Sequence, residues 1–155
     1  MSLRSLFETA AARAGEGAGY AGDVLPDEAW RILSEDVNAL LVDVRTQPEW
    51  GFVGIPDLGP LGRKPLFVAW QVFPQMAVNP RFTEELAAQG VEAERTVLFM
   101  CRSGGRSAMA ARAVTGRGFV RAFNIAEGFE GPLDAAKHRG TVAGWKARGL
   151  PWIQA

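Results

Sequence analysis

The chain has 155 residues, 48% of them hydrophobic and 22% charged, which suits one folded domain with a core of ordinary size. Seventeen basic residues cancel seventeen acidic ones, so no whole-molecule field draws nucleic acid or an anionic membrane, and neither is expected as a partner. A single cysteine, Cys101, excludes an internal disulfide and a cysteine-rich zinc site; with no signal-peptide core and no run of about 18 apolar residues, a reducing, cytoplasmic setting without metal or cofactor is expected.

In chain order, residues 1–21 read as an irregular lead-in: Leu6, Ala10 and Ala14 permit a short helical turn, but glycines crowd in from Gly15 to Gly22. The domain proper is expected over residues 22–155. Pro26 opens a helix with Asp27 and Glu28 in its first turn and an apolar stripe of Ala29, Ile32 and Leu33, ending near Glu35. Residues 39–44 form a buried strand that ends with Asp43 and Arg45 at the mouth of a sheet. A long loop rich in proline and glycine follows to Pro65, with Trp50 and Phe52 inside it.

Residues 66–69 make a short strand and 70–79 an irregular stretch. Pro80 opens a helix through Phe82 and Leu86 that Gly90 stops. The continuous apolar run 97–100 reads as a fully buried strand, and helical spacing resumes from Ser107 until Gly116. Residues 120–125 form another strand, and the tail reads as a loop with one short helix around Trp145. Strands alternating with helices indicate an α/β fold, a mainly parallel sheet flanked by helices on both faces. Ligands in such folds collect at the carboxyl ends of the strands, so Asp43, Arg45 and Cys101 are expected on one rim.

Cys101 thus sits at a strand-to-helix turn, where the first N–H groups of a helix lack partners and carry partial positive charge. Gly104 and Gly105 let the backbone curl so that successive N–H groups converge on one centre, an anion-binding geometry. Arg102 and Arg106 add full charges; in so short a loop one of them is expected to face incoming substrate. A buried core cysteine is the bland alternative, but cores do not set arginines and paired glycines directly after it. Asp43 and Arg45 read as structural, each pairing with the other's neighbours to fix the loops, His138 as part of a solvated turn, and Trp50 and Trp70 as candidate pocket walls.

Leu41-Val42-Asp43-Val44-Arg45, then Glu49-Trp50, Ile55-Pro56, the loop Cys101-Arg102-Ser103-Gly104-Gly105-Arg106-Ser107, and Asn124-Ile125-Ala126-Glu127-Gly128 together resemble a rhodanese-like domain over roughly residues 22–152. The resemblance implies sulfurtransferase chemistry: Cys101 takes sulfane sulfur from a donor such as thiosulfate as a persulfide and passes it to a thiol or protein acceptor. It also implies that residues Arg102, Ser103, Gly104, Gly105, Arg106 and Ser107 hold the transferred sulfur. The chain departs from the family in reading Val53-Gly54-Ile55-Pro56 where a histidine often precedes the Ile-Pro step, and in longer segments at 57–65 and 70–80, expected to shape the acceptor pocket. Two other readings compete. A phosphatase or arsenate reductase also pairs a cysteine with such a loop, but uses five intervening residues where Cys101 and Arg106 have four between them. A non-catalytic interaction module often loses the cysteine that this chain keeps.

Overall fold

The computed structural model describes residues 1–154. Its chain order is α1 (Leu3–Ala14), β1 (Gly22–Val24), α2 (Pro26–Glu35), β2 (Leu40–Asp43), α3 (Gln47–Phe52), β3 (Ile55–Pro56), a 3-10 turn (Gly59–Leu61), β4 (Leu66–Phe67), β5 (Gln71–Val72), β6 (Ala77–Val78), α4 (Phe82–Ala88), β7 (Val97–Met100), α5 (Gly105–Thr115), β8 (Ala122–Ile125) and β9 (Trp152–Ile153). Five strands make the main sheet in the order β1-β8-β7-β2-β4, every pair parallel. The expected α/β architecture is therefore present, with β7 at the centre and all four of its residues buried.

Alternation along β7 divides the core into two layers, because successive strand side chains point to opposite faces. Leu98 and Met100 join Leu6, Ala10, Ala29, Ile32 and Trp145 on the face covered by α1 and α2. Phe99 and Cys101 join Phe82, Leu86, Ala110 and Val114 on the face covered by α4 and α5. Small residues on α5, Ala110 and Ala111, are fully buried and let that helix lie close to the sheet. Cys101 is thereby held on the α5 face at the carboxyl end of the central strand.

The helix expected from Pro26 has the bounds read from its stripe, and proline at its first position needs no N–H partner. The lead-in is different. Residues 3–14 form a helix of 12 residues capped by Ser2, whose hydroxyl accepts from the Ser5 N–H at 3.0 Å. Leu6 is 2% exposed and Ala10 fully buried, and the Phe7 ring stacks on Phe123 with centroids 5.0 Å apart. The glycines belong to the connection after α1 and not to the helix itself. Gly22 marks where strand and helix meet, since a Cβ there would lie 2.5 Å from the Ala10 carbonyl carbon.

Several short elements also escape periodicity. The loop expected to run to Pro65 contains α3, and residues 70–79 fold as the hairpin β5–β6. Ile55 and Pro56 pair antiparallel with Ile153 and Trp152 from the tail. No helix forms around Trp145; the fully buried indole instead donates from Nε1 to the Pro151 carbonyl at 2.7 Å inside a series of turns. Segment 57–65 turns away from the rim, because the Arg63 guanidinium donates to the Leu33 and Asp36 carbonyls at 2.9 and 3.1 Å, and to that of Ala39, at the amino end of β2.

Since Leu6 is buried in the main core, Leu6→Ala is expected to cost about 2–4 kcal/mol in urea unfolding. A loss below about 0.5 kcal/mol would mean that α1 contributes as a surface segment does.

Candidate active site

The residues after β7 change direction within three positions. Gly104 takes φ +107°, a left-handed conformation in which a Cβ would stand 2.2 Å from the Ala126 carbonyl oxygen. Only glycine fits there, on both counts. The turn after β8 clasps the same loop from outside: the Phe129 N–H donates to the Cys101 carbonyl and the Glu130 N–H to the Arg102 carbonyl, both at 2.9 Å. Gly128 allows this approach, because a Cβ at its φ of +67° would lie 2.6 Å from the Arg102 carbonyl carbon.

Cys101 ends up 2% exposed, with its sulfur accepting from the Gly104 N–H at 3.1 Å. The Ala108 N–H donates to the Gly104 carbonyl, whereas among the described residues no carbonyl accepts from the N–H groups of Gly105, Arg106 and Ser107. Those are the free donors of the first turn of α5, beside the sulfur, where helix polarity favours negative charge. Arg102, Ser103 and Gly105 are exposed, Arg106 is half-buried and Ser107 is buried.

The two loop arginines separate. Arg106 turns to α3 and makes a two-pronged pair with Glu49, Nη1 to Oε1 at 2.7 Å and Nη2 to Oε2 at 2.8 Å. Burial pushes the Glu49 carboxyl up, but the Arg106 hydrogen bonds and charge outweigh it, together with bonds from Thr46, and hold it at about 2. Glu49 also accepts from the Thr46 N–H and hydroxyl, closing the first turn of α3. Arg102 is left as the exposed cation of the loop.

Ser107 places its hydroxyl 3.2 Å from the cysteine sulfur and 2.6 Å from Asn124 Oδ1. Asn124 lies opposite Asp23 in the β1–β8 ladder, and its Nδ2 donates to Asp23 Oδ1 at 2.9 Å. The Tyr20 hydroxyl donates to the same oxygen at 2.8 Å, and burial followed by this carboxylate acceptor pushes the phenol up to about 12. A row of polar groups thus leads from the cysteine beneath α5 to the edge of the sheet.

Asp43 and Arg45 reach the carboxyl rim, but they form a fully buried pair with one another, at 2.7 Å between Nη2 and Oδ2, and do not pair with neighbours as expected. Arg45 also donates to the Gly54 carbonyl at 2.8 Å and lies 4.4 Å from the centre of the Phe129 ring. The pair therefore anchors the segment before β3 to the turn that clasps the cysteine loop. His138 is exposed.

A groove of about 680 Å³ opens beside α3, walled by Trp50, Phe52, Phe67 and Phe73 with Gln47 and Asn79 among its polar groups. Cys101 is not among its lining residues. Trp50 takes the expected place in a wall; Trp70 is buried against Phe82 instead. Segment 57–65 contributes nothing to this groove, whereas residues 71–73 of the β5–β6 hairpin do. Sequence reasoning passed over Glu49, Asn124 and Asp23 as site residues. The first two stand inside the quoted motif segments, which was a usable signal; Asp23, in a strand of one apolar residue, offered none.

A family model described as the STR4 middle domain matches residues 22–155. Among curated relatives, the uncharacterized protein RP600 homolog of Rickettsia rickettsii is 37% identical over 131 residues, covering 84% of this chain and 95% of the relative. Rhodanese-like domain-containing protein 4, chloroplastic, of Arabidopsis thaliana is 30% identical over 127 residues, 81% of this chain and 24% of that longer protein. Among solved structures, the crystal structure of Rv0390 from M. tuberculosis superposes with a TM-score of 0.80 at 48% identity, covering 88% of this chain and 99% of that one. The polysulfide-sulfur transferase homodimer of Wolinella succinogenes shares the fold, with a TM-score of 0.59 and 21% identity over 99% of this chain and 88% of that one.

Two outcomes follow from the geometry of the loop. Gly104→Ala is expected to abolish the chemistry of Cys101 and to lower stability by at least about 1–3 kcal/mol, the usual cost of forcing a side chain into such a conformation; wild-type melting would show that the loop yields freely. The Glu49 carboxyl sits at about 2 in the fold against an ordinary 4.5, so its stabilising contribution is complete above 4.5 and drains away as pH falls from there through about 2. The melting-temperature gap between wild type and Glu49→Gln is therefore expected to be constant at neutral pH and to shrink across that acid window. A gap that stays constant to pH 2 contradicts the pairing.

Proposed function

Because the chain belongs to the STR4 middle-domain family and is a rhodanese-like domain, we propose that it is a sulfurtransferase that carries sulfane sulfur on Cys101. The observation that carries this reading is the position of the sulfur, 3.1 Å from the Gly104 N–H, with the next three N–H groups of α5 uncommitted beside it. The Cys101 thiolate attacks the outer sulfur of a donor such as thiosulfate; the new Sγ–S bond forms as the donor's S–S bond breaks, and sulfite leaves with the electron pair. The terminal sulfur of the persulfide is an anion, and the same N–H groups that suit a thiolate suit it. An acceptor nucleophile then attacks that terminal sulfur and Cys101 leaves as thiolate.

No second cysteine exists to resolve the persulfide internally, so the acceptor is external, a small thiol or a protein. The aromatic groove beside α3 is the place for it, since Glu49 ties α3 to the cysteine loop. Arg102, exposed in the loop, supplies attraction for an anionic donor. A reducing compartment such as the cytoplasm keeps the lone thiol available. No described helix is long and apolar enough to cross a membrane.

The oxyanion-hydrolase alternative is less well supported. Four residues between Cys101 and Arg106 make a small ring of donors, and Arg106, which a phosphatase would turn onto phosphate, is committed to Glu49. Intact mass spectrometry after exposure to thiosulfate is expected to show a gain of one sulfur atom that cyanide removes as thiocyanate, with no gain in Cys101→Ser. Hydrolysis of an aryl phosphate by a wild type that takes up no sulfur would replace this reading with the phosphatase one.

A further inference from the structure

The surface beside α3 carries more apolar area than scattered side chains would. Phe52, at the end of α3, is 85% exposed, and on the β5–β6 hairpin Phe73 is 59% exposed, with Val72, Met76 and Val78 also in solvent. Single exposed apolar side chains are ordinary, but a contiguous group of them marks a contact surface. The groove of about 680 Å³ runs between these two edges, with Phe52, Val72 and Phe73 in its walls and the half-buried Trp50 and Phe67, packed edge to face 5.1 Å apart, among its lining. A second cavity of about 360 Å³ shares Trp50 and Phe67 with it and extends the apolar surface to Ile55. One end of the groove is tied to the cysteine loop: Thr46 lines it, and the Glu49 oxygen that accepts from the Thr46 N–H and hydroxyl also accepts from Arg106 Nη1 at 2.7 Å.

Charge decides what the groove suits. Among the described residues its one charged lining side chain is Glu85, whose oxygens lie 3.3 and 3.2 Å from Asn79 Nδ2, and the second cavity has none. No cation there meets a small anionic thiol. The exposed cation Arg102 belongs to the cysteine loop, so an anionic donor is drawn to the mouth and not into the groove. A small-molecule site buries most of its ligand, whereas walls as exposed as Phe52 and Phe73 leave it open. Open aromatic walls match the core of a protein–protein patch instead. We propose that the groove is the docking site of a protein acceptor: a segment of apolar side chains, with a basic residue opposite Glu85, lies between α3 and the hairpin and brings its cysteine to the Cys101 persulfide. The proposal rests on the sulfur-transfer reading and names the acceptor within it. The acceptor thiolate attacks the terminal sulfur, the new S–S bond forms as the Sγ–S bond breaks, Cys101 leaves as thiolate, and the acceptor departs as a persulfide.

The test uses peptides of equal length with one cysteine each: one with leucine flanks and a lysine, one with the same flanks and a glutamate, and one with serine flanks and the lysine. Protein loaded with thiosulfate is expected to pass sulfur to the first about tenfold faster than to the third, the equivalent of one anchoring apolar contact. It is expected to favour the first over the second about threefold, as one exposed charge pair allows. Phe52→Asp is expected to remove the first preference and Glu85→Gln the second; Phe52 is exposed in the free protein, so its replacement leaves the core packed. Binding is read separately by titrating a serine version of the first peptide, which accepts no sulfur, into isotope-labelled protein. The amide signals of Gly51, Phe52 and Val72 are expected to move. Equal transfer to all three peptides, faster transfer to mercaptoethanol than to any of them, or groove signals that move only as the protein itself is concentrated, the mark of a second copy, overturns the proposal. Groove signals that move in a protein that takes up no sulfur remove the transfer reading alone; sulfur uptake with groove signals unmoved by peptide removes this proposal alone.

Discussion

Everything at the rim depends on two stretches of backbone approaching more closely than side chains allow. Gly104 leans on the Ala126 carbonyl, Gly128 leans on the Arg102 carbonyl, and hydrogen bonds from Phe129 and Glu130 hold the two turns together. Neither approach tolerates a Cβ, so the cysteine loop and the turn after β8 are one unit. The consequence is geometric: the loop enters α5 directly at Gly105, and the sulfur meets the Gly104 N–H without any side chain having to be positioned. A cradle made of backbone is rigid at no cost in side-chain ordering.

Charge is distributed around that unit so that each cation near the cysteine has a defined task. Arg106 is paired with Glu49 and braces α3, which forms a wall of the neighbouring groove. Arg45 is buried with Asp43 on the opposite side of β2 from Val44, and reaches Gly54 and the Phe129 ring. Breaking such a buried pair by removing one partner leaves an uncompensated charge worth about 3–5 kcal/mol, so its role is to hold the surrounding turns in place. Arg102 alone is left in solvent. Electrostatics at the mouth therefore come from Arg102 and the helix terminus, while the other arginines serve architecture.

Those features that rest on local pattern were legible in the sequence. The run 97–100 is apolar throughout because β7 is covered on both faces, and the stripe of α2 begins at a proline and has the bounds that its periodicity implies. The cysteine at a strand-to-helix turn followed by paired glycines was equally plain. What could not be read depends on contacts between distant parts of the chain. The two-residue ladder of β3 and β9 joins residues 55–56 to 152–153 and has no periodicity of its own. Asp23 acquires its place at the site only through the register of β1 on β8. The helix α1 was obscured by the glycines that follow it, although Ser2 and the alanines of its second half favour a helix. The expectation that Asp43 and Arg45 stabilise loops was sound in kind, but their direct pairing needed the structure.

The central claim is that the backbone donors at the start of α5 hold a sulfur atom bonded to Cys101. A crystal structure of the protein frozen after reaction with thiosulfate addresses it directly. The account predicts one additional atom bonded to the Cys101 sulfur, within hydrogen-bond reach of the N–H groups of Gly105, Arg106 or Ser107, with the Gly104–Ala126 and Gly128–Arg102 contacts unchanged. An added sulfur pointing away from those N–H groups, or a loop that must open its contacts with the turn after β8 to accept it, would contradict the cradle.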